Sequence, residues 1–221
     1  MTFLELIQTR LEALLKPNEE YREFLDEIKN KANDPWSLLS ILETKFRVPD
    51  YGLPPSRLSD ITGSVYAGKG TVIKSSTIEG PVYIGENCRI GPYAYIRPYT
   101  IIGDNCHIGH ASEIKSSILL SNSNAPHRNF VGDSILGENV NLGNASCLAN
   151  FRLDGKPVTG TLENGGLGRI IRRKMGAILE DRVKVACTVS LSPGTYVREG
   201  AWLYLAKDAV KTSYPKSHSQ L

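Results

Sequence analysis

The chain has 221 residues, enough for one sizeable core with an appendage. Lys and Arg exceed Asp and Glu by 26 minus 23, a formal charge of +3, too small a surplus to point to nucleic acid. No apolar run reaches the roughly 18 residues that a membrane span needs. The N-terminus has no basic segment followed by an apolar signal core, so a cytoplasmic protein with reduced cysteines is expected.

Residues 1–48 read as a helical cap. Leu4, Ile7, Leu11 and Leu14 form an i, i+3, i+4 stripe, and Thr2 with Glu5 forms a capping box. Pro17 ends that helix. Tyr21, Leu25 and Ile28 mark a second helix. Asp34-Pro35 opens a third, carrying Leu38, Leu39, Leu42 and Phe46. The segment is expected to cover the open end of a repeat array, with a surface for a protein partner as the alternative. Residues 49–60, with Pro49, Gly52 and Pro55, read as a linker.

A repeat array is expected over 61–210. Val72, Ile78, Ile84, Ile90, Ile96, Ile102, Ile108 and Ile114 recur every six residues. Neither a helix nor a half-buried strand has that period. A hexapeptide period belongs to a parallel β-helix, in which three short strands close one triangular coil. The aliphatics point inward, with small residues such as Ser76, Cys88, Ala94 and Cys106 beside them. Gly85, Gly91, Gly103 and Gly109 ease the corners. Cys88 and Cys106 therefore read as packing residues rather than metal ligands or a disulfide.

After Ile114 the offset changes. Leu119, Ala125 and Val131 keep hexad steps, as do Leu136, Leu142 and Leu148. The slips near 115–119 and 131–136 are where side chains leave the regular surface, and where chemistry is sought. Hexads vanish over about 152–174, where Asn164-Gly165-Gly166 between two apolar-rich segments predicts a projecting hairpin. The glycines there are not a phosphate loop, since no Walker lysine follows. Hexads resume at Leu179, Val185, Leu191, Val197 and Leu203, and 211–221 reads as a loose tail.

The stretches YAYIRPYTIIGDNCHIGH, ASEIKSS, HRNFVGDSILGENVNLGN, ANFRLDGK, RRKMGAILEDRVKV and VSLSPG carry a family resemblance. They are similar to the acetyltransferase half of the bifunctional glucosamine-1-phosphate acetyltransferase and N-acetylglucosamine-1-phosphate uridylyltransferase family, in its archaeal sugar-1-phosphate branch. The resemblance implies a left-handed parallel β-helix, which with the N-terminal helical segment and hairpin excursion read above makes a mainly β fold. It also implies a homotrimer with active sites between subunits, and acetyl-CoA or another acyl-CoA as co-substrate. The acceptor would be an amino sugar phosphate or nucleotide sugar. About 60 mostly helical residues stand where the family's nucleotidylyltransferase domain would be, so no uridylyl transfer is expected.

Residue by residue, the resemblance makes His127 the general base, an imidazole suited to taking the proton of an amine. Arg97 and Lys115 match residues that hold the sugar phosphate. Asn141 and Asn150 match sugar contacts, and Lys156 matches a lysine near the substrate. Ala186 and Cys187 match positions beside the acyl-CoA, whose phosphates the basic run Arg172, Arg173 and Lys174 could meet. The chain departs from the family pattern at Phe130 (usually Tyr), at Asn144-Ala145-Ser146, at Thr159 and at Ala186-Cys187-Thr188, which leaves a non-catalytic scaffold as the alternative. No metal is expected. A zinc site of His107, His110 and His127, as in γ-type carbonic anhydrases, is disfavoured because His107 and His110 hold different hexad positions and should point apart.

Overall fold

The computed structural model describes residues 1–15, 19–49, 59–205 and 218–220. Pro17, most of the expected linker and most of the expected tail lie outside them. The chain winds as a left-handed parallel β-helix of three faces. Face one stacks Asp60–Thr62, Thr77–Glu79, Tyr95–Ile96, Glu113–Lys115, Phe130–Gly132, Cys147–Leu148 and Ser190–Leu191. Face two runs from Val65–Ala67 to Thr195–Val197, and face three from Val72–Ile73 to Trp202–Tyr204. Within the expected loose tail, His218–Gln220 adds one more parallel strand to face three, paired with Trp202–Tyr204.

The inward ladder packs as one core from Val65 through Leu203, with Cys88, Ala94, Cys106 and Ala125 among its small members. Both expected slips are real: Ile114 stacks below Val131, and Leu119 below Leu136, so the step across that corner is five residues rather than six. Val72 departs from the expectation. It is exposed, and Ile73 faces the core in its place, because strand register aligns Ile73 with Ile90. Of the four expected corner glycines, Gly91 takes left-handed backbone, with φ of 88°, and many other left-handed positions are stacked non-glycine residues, such as Asn87, Asn105, Asn122 and Asn139 along one edge. Gly103 is instead required by close approach, since a Cβ there would lie 2.6 Å from the Ser121 amide of the next coil.

Helices α1 (Phe3–Leu15), α2 (Glu19–Lys31) and α3 (Pro35–Lys45) form, and α1 and α3 open at the expected caps. Thr2 and Glu5 exchange capping bonds, and the Asp34 carboxylate accepts from the Ser37 amide at 2.9 Å. The helices do not close an end of the coil. Their buried stripes (Ile7, Leu11, Phe24, Trp36, Leu39) lie on face two against Tyr83, Ile101, Ile118, Ile135 and Ile178. Those residues are the outward aliphatics and aromatics of a strand that is apolar on both sides, which water would otherwise meet. The same packing occupies the apolar stripes that suggested a partner surface.

Polar contacts help hold the helices down. Arg10 grips Asp181 with two nitrogens, at 2.7 and 2.8 Å. The Tyr83 hydroxyl donates to the Leu14 carbonyl at 3.0 Å. The Trp36 indole donates to the Thr161 carbonyl at 2.7 Å. Thr161 belongs to the expected hairpin, Val158–Thr161 against Leu167–Arg172, which leaves the coil where face one turns into face two.

Candidate functional site

The corner between faces one and two holds the shortened turns and the hairpin. Buried serines build it: Ser117 donates to the Lys115 carbonyl at 2.6 Å and accepts from the Ser134 amide at 3.1 Å. Asp133 sits at this corner with φ of 49° and is 1% exposed. Three of the expected site residues converge on its carboxylate. Asn150 donates to Oδ2 at 2.6 Å, Lys115 Nζ lies 3.3 Å from Oδ2, and Arg172 Nη2 lies 3.7 Å from Oδ1. Arg172 also meets Glu43 of α3 at 2.7 Å and donates to Ser40 Oγ at 3.3 Å. It therefore belongs to this corner.

Arg97 precedes Lys115 in the same vertical row, since Ile96 and Ile114 are in register. It pairs with Glu113 at 2.9 Å, which holds its guanidinium above its ordinary pKa. Phe130 lies beside the cluster. Gly132 leaves room for it: a Cβ there would fall 2.7 Å from the Phe130 ring and 2.6 Å from Asn150 Nδ2.

His127 lies at the opposite end of face one, at its corner with face three. Its amide donates at 3.0 Å to the buried Asn129 side chain, which itself donates to Gly143 O and Ser146 Oγ. That amide lock fixes the turn that presents the exposed imidazole. The imidazole lines a groove of about 390 Å³ on face three with His107, His110, Arg89 and Lys74. His127 pairs with His110 in register, and His107 and His110 both line this groove although they hold different hexad positions. Even so, no three ligand side chains among the described residues are grouped to hold a metal ion. Burial first, then Arg89 and His127, push the His107 imidazole below its ordinary pKa.

Within one chain, then, Lys115, Asn150 and Arg172 come together, with Arg97 one coil away, and His127 does not join them. An extended strand at about 3.3 Å per residue separates the two corners by on the order of 15 Å. Asn141 lies on face three between Asn124 and Lys184. Lys156 is exposed on the excursion, Cys187 is exposed at a corner, and Ala186 packs on the core. Arg173 and Lys174 are exposed, Arg173 over the Phe151 ring. Sequence reasoning missed Asp133, Glu43 and Ser40. Only Asp133 left a signal, an acid directly inside the second slip.

Stacked hexads, a side excursion and a cation-lined corner define a left-handed β-helix of the hexapeptide-repeat class. The family model described as the GMPPB C-terminal domain matches residues 78–198, and the chain belongs to that family. A relative named bifunctional protein GlmU from Methanocaldococcus jannaschii is 42% identical over 113 residues, 51% of this chain and 27% of that protein. A GlmU from Methanococcus aeolicus is 42% identical over 153 residues, 61% and 37%. A bifunctional sugar-1-phosphate nucleotidylyltransferase/acetyltransferase from Sulfurisphaera tokodaii is 39% identical over 145 residues, 65% and 36%. The chain thus spans about a quarter to somewhat over a third of these relatives' lengths. No helix among the described residues is long and apolar enough to cross a membrane.

Proposed function

We propose that the protein is an acyltransferase that moves an acetyl or related acyl group from acyl-CoA to the amine of an amino sugar phosphate or nucleotide sugar in the cytoplasm. The observation that carries this reading is the convergence of Lys115, Asn150 and Arg172 on Asp133, in one row with Arg97. Cations fixed in one orientation suit a phosphate, and the names of the relatives supply sugar phosphates and acetyl transfer as the chemistry to test. Acyl-CoA supplies the thioester. Ala186, the exposed Cys187 turn, Arg173 and Lys174 are free to hold it, whereas Arg172 is engaged elsewhere.

His127 takes a proton from the acceptor's ammonium group, leaving the nitrogen lone pair free to attack. The new bond is N–C and the broken bond is C–S; the nitrogen loses two protons in all, of which one goes to the departing CoA thiolate and the other passes through His127 to water. Arg97 and Lys115 hold the acceptor's phosphate, and Asn150, Asn141 and Lys156 face its sugar. Because His127 and Lys115 occupy opposite corners of face one, the reading requires a homotrimer in which one copy's His127 corner meets the next copy's Lys115 corner. Incubation with acetyl-CoA and glucosamine-1-phosphate or galactosamine-1-phosphate, followed by thiol release, tests it. Release that His127→Ala abolishes is the expected result. No release with any amino sugar phosphate overturns it in favour of a scaffold.

A further inference from the structure

We infer that Glu43 of α3 is a positioning residue for the acceptor's anion site, acting through Arg172 and Asp133 on Lys115. The inference rests on the acceptor reading above and makes the N-terminal helices a working part of the site.

Asp133 is a buried carboxylate with two cations and one amide against it. Its Oδ2 accepts the short bond from Asn150 and the nearer approach of Lys115, while Arg172 stands off from Oδ1 at 3.7 Å. That separation is an ion pair without a hydrogen bond. The reason lies on α3: Glu43 takes the same Arg172 nitrogen at 2.7 Å, and Ser40 takes its neighbour at 3.3 Å. The four charges balance as two pairs, Lys115 with Asp133 and Arg172 with Glu43. Remove the Glu43 charge and Arg172 has one carboxylate left to meet. It would close on Asp133 and compete with Lys115 and Asn150 for the same two oxygens, whose orientations the acceptor reading depends on. Arg172 is 12% exposed, so water would replace the lost partner only in part.

The test is Glu43→Gln, with Glu43→Asp as a second variant that keeps the charge on a shorter arm. In protein labelled at the lysine ε-carbon, the Lys115 resonance is assigned by Lys115→Arg. It is expected to move in Glu43→Gln and to return toward the wild-type position in Glu43→Asp. Calorimetry with glucosamine-1-phosphate alone is expected to show affinity weakened roughly tenfold, the size of a coupling between contacting residues. KM for the acceptor should rise by the same factor, with kcat within about twofold. An unmoved Lys115 resonance in folded Glu43→Gln overturns the relay whether or not the protein is an acyltransferase. A moved resonance with unchanged acceptor affinity overturns the role in binding. Wild-type protein that neither binds nor acetylates the sugar phosphate overturns the acceptor reading, and the Lys115 resonance still decides the relay.

Discussion

Asn150 donates to Asp133 at 2.6 Å, from one coil to the next, across the corner where the hexad step shortens to five. Asp133 and its stacked neighbour Ser116 both take left-handed backbone there, a conformation that aspartate tolerates better than most residues. The shortened step turns the carboxylate inward beneath the excursion, where Lys115 and Arg172 meet it. Asp133→Asn leaves Lys115 facing an amide at a largely buried corner, while Arg172 keeps Glu43. Urea unfolding should show a loss of about 3 kcal/mol. Arg97→Ala, removing a half-exposed pair with Glu113, should cost no more than about 1 kcal/mol. Equal losses in the two variants would contradict the buried hub.

Gly132 is the second tight point of this corner. A Cβ would press on both the Phe130 ring and the Asn150 amide. Gly132→Ala is therefore expected to destabilise by roughly 2 kcal/mol, as overpacking does, and to displace Asn150 from Asp133. A crystal structure of the variant with the 2.6 Å bond intact would refute this.

Much of the frame was readable because it depends on local period. An inward isoleucine every sixth residue can pack only in a stacked coil, and the two five-residue steps after Ile114 and Val131 were visible as changes of phase. Val72 was misplaced because Val72 and Ile73 are both aliphatic, and only pairing with Ile90 decides between them. Candidate site residues were legible only where a matched stretch carried them. His127 and Lys115 stand in matched stretches, whereas the Arg172 contact with Ser40 joins residues 132 positions apart. No period connects those residues. They meet because face two is apolar on its outer side and draws the helices onto it.

The docking of α3 on the excursion has its own signature. Trp36 is fully buried over Gly160 and holds the Thr161 carbonyl at 2.7 Å. Trp36→Phe keeps most of the apolar contact and loses the bond, at a cost of about 1 kcal/mol. Amide exchange should quicken in Val158–Thr161 and Leu167–Arg172 while the Ile78–Ile114 coils stay protected. Uniform acceleration along the chain would mean the bond is not a local clamp.

His127 is exposed, so His127→Ala should change stability by no more than about 0.5 kcal/mol. On the proposed mechanism it should lower kcat by roughly 10²- to 10⁴-fold. A drop in turnover accompanied by loss of folded protein would not support a base. Asn129→Ala, by contrast, removes the buried amide that fixes the turn, and should impair both folding and turnover.

The clasp of α1 is sensitive to acid. Burial raises the cost of charge on Asp181, but the bidentate Arg10 and the Glu138 amide at 2.9 Å outweigh it and hold the carboxyl below its ordinary range. A carboxyl with a depressed folded pKa contributes stability that is present above its unfolded value, about 3.9. The contribution is lost as pH falls through the lower, folded value. Arg10→Met removes the main stabilising partner, so this variant should be less stable than wild type at neutral pH. The gap between them should narrow as pH falls below about 4. Urea unfolding of both proteins from about pH 7 to about pH 3 measures it. A gap that stays constant over that range would show that Asp181 gains nothing from Arg10.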